Sequence, residues 1–363
     1  MDSYNPATLA LTGGTGALGL AFLQYNFLRS PHLQARLLVR RSSASFQSRS
    51  FQDWLNQYAD RVTLVDGDMR QLDAGQLKLL TETDGGLWHF AALTSLTSDS
   101  PEVAREIHEV NFEGTEKLVE ALLANESRGP FYHISTAYVV GERKGIAREE
   151  DGAMGQSFRN PYERSKLAAE LSVQRAFAEG VTGAIFRPSV VVDDTSGTGG
   201  FKMVDACAYA VALAIKRQEP FVFRLTKNSS VNLVHSDWVI AAMSDLAPLP
   251  SGSGLTYHLT TPKRTYWRDI AAILEEIVPD LKISFEPGLK RSELPTASKI
   301  FDKAISEVRP YFETDIDFDR TNTERDLSPT LKEIPMDLIP FVNERLHSEL
   351  GKLAHRVFAE KLG

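Results

Sequence analysis

The chain has 363 residues, 42% of them hydrophobic, a formal net charge of -8 and one cysteine, Cys207. That is enough for one large domain or two smaller ones, and the acidic balance excludes a general nucleic-acid binder, which needs a basic face for phosphates. A single cysteine excludes an internal disulfide framework and a CxxC site. No apolar run approaches the ~20 residues that cross a bilayer. The opening MDSYNPATLAL has neither a basic n-region nor a long apolar stretch, so no secretion signal is expected and a cytoplasmic protein is. The histidines form no HxxxH or HExxH pair, and no metal site is expected.

Residues 1–192 alternate strand and helix signals. ATLALTGG is an apolar strand ending in glycines, and GALGLAFLQYNFL follows with helical spacing. Further strands are read in ARLLVR, VTLVDGD (62–68), LWHFAA (87–92), FYHISTA (131–137) and GAIFRPSVVV (183–192). These runs are continuous rather than alternating, as in strands buried on both faces of a parallel sheet. The pattern predicts a doubly wound α/β fold of the Rossmann type. In EVNFEGTEKLVEALLANE, Val110, Gly114, Leu118 and Leu122 make one helical stripe. Gly114 there implies close approach to a neighbour.

The first turn, LALTGGTGALGL, sets Gly13, Gly16 and Gly19 in a GxxGxxG spacing, with Thr15, Ala17 and Leu18 between them. Such a loop gives a tight turn, lets backbone approach a diphosphate, and aims a helix N-terminus at the anion. The second strand ends LLVRRSS, where an acidic residue would favour NAD. Arg40 and Arg41 stand there instead, with no Asp or Glu from residue 3 to residue 52. A guanidinium suits a 2'-phosphate, so NADP(H) is the expected cofactor. Asp68, beside Met69, could accept from the adenine amino group. Ala91, Ala92 and Leu93 end the fourth strand with a backbone that can lie against the cofactor.

NPYERSKLAAE puts Tyr162 and Lys166 one above the other on the first turns of a helix. They could be a catalytic pair or a solvated helix end with Lys166 on Glu163 or Glu170. After residue 192 the pattern changes. DDTSGTGG (193–200) reads as a loop, FKMVDACAYAVALAIKR as a helix with an apolar face that packs or lines a cleft, and SSVNLVHSDWVIAAMSDLA as strand into helix. A late strand near 255–261 returns to the sheet. Residues 193–345 are read as a partly discontinuous substrate lobe. Residues 346–363 are read as an amphipathic helix packing on the body or on another subunit, which leaves an oligomer open.

TGGTGALG, GDMR, HFAALT, NFEGT, HISTAYV, NPYERSK and FRPS, in this order, resemble the extended short-chain dehydrogenase/reductase family. VNLVHSDWV and PYFETDIDFDRTNT continue a weaker match. HISTAYV and FRPSVVVDDTSGTGG resemble the branch that contains thioester reductases and fatty acyl-CoA reductases, although Leu167 stands where carrier-linked thioester reductases commonly have tryptophan. The resemblance implies a proton-donating Tyr162, a Lys166 that lowers its pKa and bonds the nicotinamide ribose, and Thr136 as the third catalytic hydroxyl, with Ser135 in reserve. Tyr138 has no lysine four residues on and reads as packing. Asn111 resembles an active-site asparagine or is a helix cap. Pro188 and Ser189 would lie near the carboxamide end of the cofactor. The implied activity is NADPH-dependent reduction of an acyl thioester, on coenzyme A or on an acyl carrier protein touching the basic patch RNPYERSK. The alternatives are a ketone or aldehyde reductase, an NAD-dependent nucleotide-sugar epimerase or dehydratase, and a cofactor-sensing protein without catalysis.

Overall fold

The computed structural model describes residues 8–96, 100–124, 129–193, 201–249 and 253–359, without the side chains of 201, 202 and 354–359. Of the segments read above, 194–200 in the loop, 1–7 of the first domain and 360–363 of the tail lie outside the described residues.

The continuous apolar runs become a seven-stranded sheet. Its first five strands in the chain are β1 (Thr8–Thr12), β2 (Gln34–Val39), β3 (Val62–Asp66), β4 (Leu87–His89) and β5 (Phe131–Ile134). Across the sheet the order is Leu255–Leu259, Gly183–Pro188, β5, β4, β1, β2, β3, and every pairing is parallel. Chain direction across the sheet reverses between β1 and β4, where an open α/β sheet leaves its binding crevice. The helices are α1 (Ala17–Arg29), α2 (Arg49–Gln57), α3 (Ala74–Thr81), α4 (Pro101–His108), α5 (Gly114–Ala124) and α6 (Pro161–Ala178). Rings on neighbouring strands fill the layer beneath α1. Trp88 lies 4.3 Å from Phe22 and 4.2 Å from Tyr132, centroid to centroid.

A π-helical turn, Glu109–Glu113, runs without a break from α4 into α5. Val110, Gly114, Leu118 and Leu122 are buried as one stripe. A Cβ on Gly114 would stand 2.9 Å from Met69 Cε, so the glycine admits the close approach its position implied.

Two readings change. The strand read over 183–192 breaks at Ser189: Gly183–Pro188 joins the large sheet, whereas Val190–Val192 pairs with Leu233–His235. A short strand not read from the sequence, Gly145–Ala147, pairs with Ile316–Phe318. Just after it, Glu149 accepts from His258 N at 2.8 Å, Thr323 N at 3.2 Å and Thr323 Oγ1 at 2.7 Å. Chain contacts accordingly gather residues 1–189, 236–260 and 316–334 into one unit, and 190–235, 261–315 and 335–363 into a second. These boundaries differ from the divisions at 192 and 345 drawn from composition.

In the second unit, α7 (Phe201–Arg217) buries Val204, Cys207, Ala208, Val211 and Ala214 in its core. The terminal helix Ile339–Ala359 packs Val342, Leu346 and Leu350 into the same core, so it rests on its own unit. Among the described residues no helix is long and apolar enough to cross a membrane.

Candidate active site

At the β1/β4 reversal lies a cavity of about 250 Å³, lined chiefly by the segments that follow β1, β2, β3 and β4. Gly13, Thr15 and Gly16 come from the turn after β1, Gly67, Asp68 and Met69 from the turn after β3, and Ala91, Ala92 and Leu93 from the segment after β4. Gly13 has φ +74, and a Cβ there would stand 2.5 Å from Ala91 N, so only glycine lets these loops touch. Ala17, Leu18 and Gly19 form the first turn of α1 and are not among the lining residues. No acidic residue lies in that turn, and its N–H groups are left for an anion. These are the features a dinucleotide requires.

The two arginines part company. Arg40 lines the cavity, with Ser43 and Ser45 beside it. Its grip on Asp68 is loose, at 3.4 Å, and its side chain is 49% exposed. Arg41 pairs with Asp66 at 3.4 Å and is not among the lining residues. Sequence reasoning missed Ser43 and Ser45, although they follow directly in LLVRRSS. Ser45 Oγ lies 2.9 Å from Thr15 Oγ1 and 3.2 Å from Ser43 Oγ, which gathers three hydroxyls beside Arg40. Asp68 is held chiefly by Arg70, at 2.9 Å through Nε and 2.7 Å through Nη2. That hydrogen-bonded guanidinium drives its carboxyl well below the usual carboxylate range.

Helix α6, which carries Tyr162 and Lys166, is capped by Asn160, whose side chain accepts from Glu163 N at 3.0 Å, with Pro161 in the first turn. Tyr162 is half-buried, and its phenol is near enough to feel the Thr136 hydroxyl, just past the end of β5. Ser135, the reserve candidate, has a buried Oγ with no partner. Tyr138 packs edge-on against Phe318, at 5.6 Å between ring centroids. The solvated-helix-end reading of Lys166 fails. Glu163 is taken by Arg159 at 3.1 Å and Glu170 by the buried Arg187 at 2.9 and 2.6 Å. Lys166, only 1% exposed, donates instead to Ile134 O at 2.6 Å and to His133 Nε2 at 3.3 Å.

Burial lowers Lys166 to about 8, against the pull of Glu170. Burial pushes the Tyr162 phenol up, Glu163 adds to this, and the Thr136 hydroxyl opposes it. The net direction is up, opposite to the lowering expected from Lys166. The phenol keeps its proton at neutral pH. The RNPYERSK patch also fails as a basic surface. Lys166 is buried, Arg159 is tied to Glu163, and only Arg164 is exposed.

Asn111 is no helix cap, since it sits inside the π-turn. Its Oδ1 accepts from Leu93 N at 2.7 Å, and its Nδ2 donates to Leu93 O and to Ser165 Oγ, both at 3.0 Å. It thus clamps the cavity wall to α6. Beneath it, Thr115 donates to Asn111 O at 2.6 Å, so His89 Nε2 must donate to Thr115, at 2.8 Å. His89 Nδ1 then accepts from Thr12, at 2.6 Å. Burial and the nearby Lys166 charge hold His89 near 3, neutral throughout the working range. Pro188 and Ser189 end the strand Gly183–Pro188 and do not line the cavity.

Comparison with known proteins agrees with this geometry. The chain matches the male sterility protein family over residues 11–243. It is 24% identical over 300 residues to an L-2-aminoadipate reductase of Schizosaccharomyces pombe, covering 77% of this chain and 21% of that protein. It is 24% identical over 283 residues to the non-canonical nonribosomal peptide synthetase FrzA of a Cladobotryum species, covering 70% of this chain and 26% of that one. The chain thus spans about a quarter or less of these relatives. Among solved structures, the terminal R domain of the myxalamid PKS-NRPS pathway superposes with a TM-score of 0.74 at 22% identity, over 98% of this chain and 92% of that one. A thiolation-reductase di-domain from an archaeal non-ribosomal peptide synthetase gives 0.71 at 17%, over 96% and 76%. A UDP-glucuronic acid 4-epimerase from Bacillus cereus, in complex with NAD, gives 0.63 at 16%, over 95% and 99%. The family match covers more than half of the chain and, with the motif order and the sheet, leads to one identification: the protein belongs to the male sterility protein family of the extended short-chain dehydrogenase/reductases and is an oxidoreductase that uses a nicotinamide cofactor.

Proposed function

We propose that the protein is an NADPH-dependent reductase of acyl thioesters, with the acyl group presented on a carrier protein or on coenzyme A. The observation that carries the reading is a protonated Tyr162 beside the Thr136 hydroxyl, with Lys166 one helical turn on. That set provides two donors for a carbonyl oxygen and a cation beside them, which is what a reduced carbonyl needs. The choice of thioester is supported by the HISTAYV and FRPS resemblance and by relatives named as reductases or as reductase domains of carrier-linked synthetases.

The chain's own residues fit the cofactor. The glycine turn and the α1 N-terminus would take the diphosphate, Leu93 and its neighbours would lie along the nicotinamide half, and Arg40 with Ser43 and Ser45 would take the 2'-phosphate. NADPH, when bound, supplies the hydride that the carbonyl carbon receives. Thr136 holds the developing oxygen charge, and Tyr162 gives that oxygen its proton. The Lys166 charge then offsets the phenolate left behind. The hydroxyl proton of the hemithioacetal then returns to the Tyr162 phenolate as the C–S bond breaks, which expels thiolate and leaves an aldehyde. A thioester carbonyl is electrophilic enough for this without prior activation, so oxyanion donors and room for the leaving thiolate suffice.

The test is a panel of acyl-CoA, acyl-carrier, ketone and nucleotide-sugar substrates with NADPH. Oxidation of NADPH by thioesters is expected. Consumption with ketones alone would hand the assignment to a ketone reductase, and sugar epimerisation without net oxidation to an epimerase.

A further inference from the structure

We propose that His133 is the positioning residue for Lys166, a neutral imidazole seat on β5 that holds the ammonium in place before cofactor arrives. This rests on the reading of Lys166 as a member of the reductive site, but on no particular substrate. Lys166 Nζ is buried and meets two acceptors, Ile134 O at 2.6 Å and His133 Nε2 at 3.3 Å. An ammonium only donates, so Nε2 must accept and the ring proton must sit on Nδ1. Nδ1 has no partner and is buried. An unpaired buried donor calls for a reason, and the contact with Lys166 supplies one.

The same atom separates a seat from a proton relay. A proton passed to His133 would need an onward acceptor at Nδ1. His89, 5.3 Å away ring to ring, offers none, because Thr12 and Thr115 occupy both of its nitrogens. The charged and titratable groups around Lys166 are His133 and His89 from the strands and Tyr162 and Glu170 from α6, with Glu170 already spent on Arg187. Burial, and after it the Lys166 charge, keeps His133 unprotonated.

The experiment is carbon-13 NMR of lysine Cε in the cofactor-free protein as a function of pH, with Lys166→Met identifying the resonance. Lys166 should titrate near 8. His133→Leu removes the acceptor and should lower the midpoint by about one pH unit. His133→Gln puts an amide oxygen where Nε2 lies and should restore it. With NADPH and a carbonyl substrate, kcat should fall about tenfold or more in the leucine variant and recover in the glutamine variant, the scale of one charge-assisted hydrogen bond. A parent-like midpoint in His133→Leu, or a glutamine variant shifted as far as the leucine variant, would overturn the proposal. If His133→Leu does not fold, the glutamine midpoint decides. The titration needs no substrate, so its outcome stands even if no thioester is reduced.

Discussion

The glycine-loop cavity and the floor of α6 carry charge in opposite ways. Around the cavity the lining arginine is half-exposed and loosely held: Arg40 reaches Asp68 at 3.4 Å with half its side chain in solvent. Under α6 the charges are sealed. Arg187, Glu170, Lys166 and His133 are all buried, and each is fixed by hydrogen bonds. Exposed charges interact weakly and can be surrendered to a ligand at small cost. Buried charges are costly to hold and to move, but they arrive preorganised. On the proposed function, binding specificity belongs to the open end and chemistry to the closed one.

That contrast is most vulnerable at the closed end. Tyr162→Phe keeps the ring and removes the proton. Turnover should fall on the order of 10²–10⁴-fold while calorimetric NADPH affinity and melting temperature hold. If Tyr138→Phe were the crippling change instead, the assignment would be wrong.

A second test uses the cost of burial. The folded state releases the Lys166 proton near 8, whereas the unfolded chain holds it to the ordinary 10.5. Between those values the unfolded chain binds more protons, so this group makes stability rise with pH. Below pH 8 its full cost is present, on the order of 3 kcal/mol. Lys166→Met should therefore melt higher than the parent at pH 7 and lose that rise above pH 8, while losing activity. A variant that melts lower at pH 7 would mean that the ammonium's hydrogen bonds outweigh its desolvation.

At the open end, Arg40→Ala should weaken NADPH binding by about 10- to 150-fold, the loss of a charge-assisted contact of roughly 1.5–3 kcal/mol, and leave NADH nearly unchanged. Arg41→Ala, on the outward pair with Asp66, should change either affinity by less than about twofold. Equal effects from the two arginines would erase the distinction drawn by the cavity lining.

The open end was also the more legible in sequence. A glycine turn must be local, and an arginine pair two strands' length on is visible as letters. Which arginine faces inward was not visible, because that depends on Asp66 and Asp68 arriving from the next strand. Tyr162 and Lys166 could be read from their spacing, but the partners of Lys166 could not. His133 and Ile134 lie more than thirty positions away and meet it only because β5 runs beneath α6. Periodicity likewise missed the assignment of 316–334 to the sheet-bearing unit. A three-residue strand and one buried carboxylate, Glu149, make that link, and neither has a repeating pattern. The break at Ser189 was hidden for the opposite reason, since both strands it separates are equally apolar.

Whether this site reduces a thioester carbonyl is decided by following NADPH oxidation and free thiol together in one reaction. An acyl-pantetheine or acyl-CoA series serves as substrate, with Tyr162→Phe as the control. Thiol should be released in step with the first equivalent of NADPH, and neither signal should appear in the variant. NADPH consumed without thiol, or no consumption with any thioester while a ketone is reduced, would contradict the thioester assignment.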